Sequence, residues 1–103
     1  MQIRPVRGSA EFPRLVEIWR SAVDATHDFL REEDVIELQS QLEASYLSRV
    51  EVFVAEIDGE PMGFAGINDT NLEMLFVHAD ALHQGIGTAL LEFVVQNYGV
   101  RFV

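Results

Sequence analysis

The stretch His83-Gln84-Gly85-Ile86-Gly87-Thr88 holds the residue types and spacing in this chain that can do chemistry. It stands between an apolar run, Leu72–His78 (LEMLFVH), and a segment that carries Ala89, Leu90, Phe93 and Val94 on one helical face. A strand, a loop with closely spaced glycines and a helix together form an anion site. The first N–H groups of a helix have no intrahelical acceptor and lie at the positive end of its dipole. Glycines let a phosphate approach the main chain and permit positive φ. The loop can therefore cradle a pyrophosphate with main-chain amides, and the Thr88 hydroxyl can add a donor. A tight turn needs the same glycines, so the loop alone leaves both roles open.

Other nucleotide motifs fail on their own spacing. A dinucleotide fingerprint needs G-x-G-x-x-G, and Leu90 takes the place of the third glycine. A phosphate-binding P-loop needs a lysine, and the chain has none. There is no cysteine for a thiolate site, and His27, His78 and His83 lack metal-ligand spacing.

The elements that must position this loop can be read along the chain. Met1–Val6 suits an edge strand that tolerates Pro5. Ser9 is a candidate cap for the helix that follows, and Pro13 fits only its first turn. Phe12, Leu15, Val16, Trp19, Ala22 and Val23 recur at helical spacing, with Trp19 and Phe12 read as core. Asp24–Leu30 breaks that period and reads as a turn or a short second helix. Val35, Leu38, Leu42 and Tyr46 mark a further helix over about Glu32–Leu47. Val50–Ile57 and Met62–Ile67 are strands joined by Asp58-Gly59, a strong hairpin signal. Gly63 and Gly66 either weaken the second of these strands or admit a close backbone approach. Leu72–His78 is a third, buried strand. Tyr98-Gly99 ends the last helix, and Val100–Val103 reads as the start of another strand. The order is β-α-α-β-β-β-α-(β), in a single domain over residues 1–103.

The segment LFVHADALHQGIGTALLEFVV resembles the central motif of the GNAT superfamily of N-acetyltransferases, where an apolar strand leads into R/Q-x-x-G-x-G/A and a helix. Gly85 and Gly87 match the two glycines, and Thr88-Ala89-Leu90-Leu91 matches the start of the helix. The hairpin around Asp58-Gly59 with Met62-Gly63-Phe64 resembles the preceding strand pair, and the N-terminal strand and two helices look like a small bacterial subfamily. The resemblance implies an α/β (α+β mixed-sheet) acyl-CoA N-acyltransferase fold lacking its C-terminal strands. It also implies acetyl-CoA as co-substrate, bound along Leu75, Phe76 and Val77, with the pyrophosphate on His83, Gln84, Gly85, Ile86, Gly87 and Thr88. Glu73 falls where several members of the family place the general base, although an alternating strand would turn it outward. Asp24, His27 and Asp28 fall beside the acceptor site of the resembling proteins, and turn and capping roles suit them equally. Two departures stand out. Leu82 occupies the R/Q position, with Gln84 two places later, and the chain stops before the strands that complete the family's cleft and supply a tyrosine acid. Neither Tyr46 nor Tyr98 matches that acid.

Bulk composition narrows the partners. The formal net charge is −10, and the seven basic residues are all scattered arginines. Binding nucleic acid needs clustered cations to neutralise phosphates, so nucleic acid is not an expected partner. An acidic surface would favour a cationic amine, although it also simply aids solubility. No stretch approaches the length of a membrane span and no signal-peptide pattern is present, so a cytoplasmic location is expected. Three functions follow: an acetyl-CoA-dependent N-acetyltransferase acting on an amine of a small molecule or protein, a non-catalytic CoA-binding or interaction module, and a fragment of such an enzyme. An uncovered Leu72–His78 edge would further favour a homodimer, paired along that strand.

Overall fold

A computed structural model describes residues 1–26 and 31–101. Four strands form one antiparallel sheet in chain order: β1 (Gln2–Pro5), β2 (Glu51–Ile57), β3 (Glu60–Asn68) and β4 (Asn71–Val77). Helices α1 (Phe12–Thr26), α2 (Glu32–Gln41) and the short α3 (Leu47–Arg49) lie between β1 and β2, and α4 (Ile86–Tyr98) follows β4. The expected order is borne out, with strand ends moved by one to two residues.

Alternation on the strands sorts the core into two layers. Val52, Val54 and Phe64 pack with Leu15, Ile18 and Trp19 of α1. Phe53, Ala55, Ala65 and Ile67 pack with Ile86, Leu90 and Val94 of α4 on the opposite face. Both faces of β2 and β3 are thus covered, which is why Val52–Ala55 reads as an unbroken apolar run. Asp58 and Gly59 both take positive φ, 53° and 82°, which matches the right-handed twist of a two-residue hairpin.

Three local features differ from the simple periodic reading. Ser9 gives no side-chain cap; it starts a 3-10 turn, Ser9–Glu11, that precedes α1. The second helix does not run evenly to Leu47. It widens into a π segment, Leu42–Tyr46, where the Leu47 N–H bonds to the Leu42 carbonyl. Five residues turn a regular helix by about 500°, leaving side chains about 140° apart. The wider turn brings Leu42 and Leu47 both inward, where they are 4% and 1% exposed. The third feature is a bulge in β4. Gly66 pairs with Met74 and Ile67 with Leu72, so Glu73 is the extra residue.

The C-terminal end of α4 closes on Gly99, which takes positive φ and donates its N–H to Val95. The chain then turns back, and Arg101 forms a parallel bridge with Asn71 at the start of β4. The expected strand over Val100–Val103 is therefore seen only at its first rung, since residues 102–103 lie outside the described ones. Among the described residues no helix is long and apolar enough to cross a membrane.

Candidate active site

The open side of β4 carries, among the described residues, only the Asn71–Arg101 bridge. Two concavities adjoin this strand. The first is a cleft of about 330 Å³ walled by Ala22 and Val23 of α1, by Leu75, Phe76 and Val77 of β4, and by Leu82 and Gly87. Four of the residues expected to meet the cofactor therefore line one recess. Ala22 and Val23 give only the helical-period signal of core residues in the sequence, and Leu82 lines the cleft from the motif's R/Q position.

The loop beside this cleft has the geometry of an anion site. After the 3-10 turn Ala79–Ala81, His83 takes φ 66° and Gly85 takes φ 79°. Gly85 caps α4 without any side-chain bond, and the first bond into the helix is Ala89 N–H to Gly85 O at 2.9 Å. The N–H groups of Ile86, Gly87 and Thr88 therefore lack an acceptor within the helix. Ile86 contributes only its main chain to the loop surface, because its side chain is buried in the core. His83, Gln84 and Thr88 are exposed. A Cβ on Gly87 would meet nothing closer than Val77 Cγ2 at 3.7 Å, so the space beside that backbone is open to a ligand. With Leu82 in the motif's R/Q position, what the loop presents to an anion is main-chain amides and the helix dipole.

Gly63 explains how α4 reaches this position. A Cβ there would lie 2.8 Å from Ile86 Cγ2 and 3.2 Å from Phe76 O, so the missing side chain lets the helix N-terminus press onto β3. Of the two readings of this glycine, close approach holds.

The second concavity is a groove of about 480 Å³ on the α1–α2 side, lined by Trp19, Leu42, Tyr46, Glu73, Met74 and Phe76 among others. Met74 and Phe76 face this side by alternation, whereas Leu72 and Leu75 pack with the α4 layer. The bulge breaks that alternation at Glu73, an exposed residue that lines the groove. Leu38 and Tyr46, read as helical-face residues, are 40% and 44% exposed and line this groove. Phe76 lines both concavities and packs at a tilt against Phe64, ring centroids 5.7 Å apart.

Asp24 lies apart from both concavities. Its two carboxylate oxygens accept Arg20 Nε at 3.1 Å, and Arg20 Nη2 also reaches Glu32 at 2.6 Å, tying α1 to α2. It borders a separate recess with Ser21 and His78. His27 and Asp28 lie outside the described residues. Tyr98, which has no assigned role, packs on Phe53 with centroids 4.7 Å apart.

Comparisons with known proteins bear on the family and the fold. The acetyltransferase (GNAT) domain family matches residues 48–102, the span from α3 through α4. The chain belongs to the GNAT family of acetyltransferases. A peptidyl-lysine N-acetyltransferase, YjaB of Salmonella typhimurium, is 40% identical over 83 residues, which are 80% of this chain and 57% of that protein. The peptidyl-lysine N-acetyltransferase YiaC of Escherichia coli is 29% identical over 90 residues, 86% of this chain and 62% of that one. The solution structure of apo YjaB from Escherichia coli superposes with a TM-score of 0.82 at 34% identity, covering 92% of this chain and 64% of that one. The chain thus spans about three-fifths of the length of these relatives. PaiA N-acetyltransferase from Thermoplasma acidophilum, solved in complex with coenzyme A, shares the fold with a TM-score of 0.73 at 19% identity, covering 97% of this chain and 76% of that one.

Proposed function

We propose that this chain is an acetyl-CoA-dependent N-acetyltransferase acting on an amine of a small molecule or protein. One observation carries the reading: the cleft where Leu75–Val77 meet Gly87 adjoins, at Phe76, the groove that receives Glu73. A thioester held along β4 would present its carbonyl at that junction, with its diphosphate at the N-terminus of α4. The neutral acceptor nitrogen attacks the carbonyl carbon, the C–S bond breaks, and the departing thiolate takes up the second proton that the nitrogen sheds as the amide forms, leaving as the thiol. Glu73, directly or through water, takes the proton that the ammonium must lose to become nucleophilic. The printed names of the YjaB and YiaC relatives make a lysine side chain the first acceptor to try.

Calorimetric titration of the chain with acetyl-CoA tests the cofactor half of this reading. Micromolar binding is expected, lost in Gly85→Glu and Gly87→Glu, where a carboxylate enters the anion site. Undiminished binding in both variants would remove the loop assignment. Turnover with lysine peptides and small amines then separates an enzyme from a CoA-binding module without chemistry.

A cytoplasmic setting, where acetyl-CoA is supplied, belongs to the same reading. So does a homodimer in which a second copy pairs along β4 beyond the rung held by Arg101. Sedimentation at micromolar concentration should show a dimer, and a strictly monomeric species counts against it.

A further inference from the structure

Ser21 sits on α1 beside Ala22 and Val23, which wall the cofactor cleft. Its hydroxyl oxygen accepts the Ala79 N–H at 3.0 Å and lies 3.4 Å from His78 Nδ1. That ring nitrogen also accepts the Asp80 N–H at 3.1 Å, capping the turn from which the anion loop departs. Accepting at Nδ1 requires a lone pair there, and the Ser21 O–H, 3.4 Å away, is placed to share it with the Asp80 N–H. The His78 main chain is fixed as well, its N–H on Met62 O at 2.8 Å and its carbonyl on Ala81 N–H at 2.9 Å. Ser21 therefore joins the two walls of the cleft, α1 and the root of the loop. Its neighbour Arg20 ties the same turn of α1 to α2 through Glu32.

We infer that Ser21 is a positioning residue for acetyl-CoA, setting the spacing between α1 and the anion loop through Ala79 and His78. The inference rests on the cofactor reading given above. It goes beyond stability because α1 is already anchored to the sheet by Leu15, Ile18 and Trp19, all buried. A single partly buried hydroxyl adds little to that anchorage, whereas it touches the segment whose placement decides how three main-chain amides meet an anion.

The test compares wild type, Ser21→Ala and Ser21→Thr by calorimetry with acetyl-CoA, alongside thermal melts. Loss of the hydroxyl should weaken binding about fivefold to tenfold at a nearly unchanged melting midpoint. Thr keeps the hydroxyl and should restore wild-type affinity. A second pair checks the other partner: His78→Asn keeps a capping acceptor and should bind better than His78→Ala. In wild type, the ¹⁵N resonance of His78 Nδ1 should fall in the range of a ring nitrogen bearing a lone pair. Equal affinity in wild type and Ser21→Ala, or equal loss in Ala and Thr, would overturn the inference and leave the cofactor reading standing. Absence of acetyl-CoA binding by wild type would overturn the cofactor reading and this inference together.

Discussion

His83 occupies a backbone conformation that suits glycine better than itself, with φ 66° two residues before Gly85. Histidine visits that region more readily than bulkier side chains, and a β-branched residue there clashes with its own carbonyl. His83→Val is expected to cost about 1–2 kcal/mol in urea unfolding, while His83→Gly stays near wild type because relief of strain offsets added chain entropy. Equal stability of the two variants would show that the left-handed turn is not obligatory. The type of residue at 83 was visible in the sequence; its φ was not, because nothing in H-Q-G-I-G marks the histidine as the strained member. Glu73 posed the same kind of problem. Its carboxylate was legible as a candidate base, but strand alternation turned it outward. Only the pairing of Gly66 with Met74 and Ile67 with Leu72 reveals it as the extra residue of a bulge, exposed at the groove's edge.

At the scale of elements, period and turn chemistry made the order of strands and helices legible. Asp58-Gly59 marked the hairpin, Gly85 and Gly99 bracketed α4, and the apolar spacing of Leu15, Val16, Trp19 and Val23 identified the buried face of α1. Contacts between elements were not legible. Leu38 and Tyr46 recur at helical spacing like core residues, yet both face an open groove, Leu38 from α2 and Tyr46 from the π segment that follows it. Gly63 is the sharpest case, because its reason lies in a helix more than twenty residues further on. Gly63→Ala is expected to destabilise by about 1–3 kcal/mol, since the new methyl meets Ile86 and the Phe76 carbonyl. Chemical denaturation measures this. Gly87→Ala, with open space beside it, should unfold close to wild type, and an equal loss in both would refute the steric account.

Across the whole molecule, the N-terminal strand is joined to the rest by a buried ionic cluster. Arg4, 9% exposed, bonds Glu11 at 2.7 Å and 2.9 Å and Glu56 at 3.0 Å, linking β1, the turn before α1, and β2. The Arg4 hydrogen bonds hold the Glu11 carboxyl below its ordinary value of 4.5. A depressed carboxyl contributes stability that is complete above its unfolded value and is lost as pH falls through the folded one. Melting midpoints followed from neutral pH downward should therefore fall below about pH 4.5, with a shallower fall in Glu11→Gln. Arg4→Met should cost about 3–5 kcal/mol at neutral pH, because it strands the buried carboxylate of Glu56 and the partly buried one of Glu11. A loss under 1 kcal/mol would show that water reaches them. The placement of the groove has a further, optical consequence. Trp19 is the single tryptophan of the chain, is 7% exposed, and forms part of the groove wall beside Glu73. The intrinsic ultraviolet emission of this protein is thus a report from one place. An acceptor that enters there announces itself in colour and intensity without label or turnover, and a cofactor seated only against the α4 loop leaves the spectrum largely as it was.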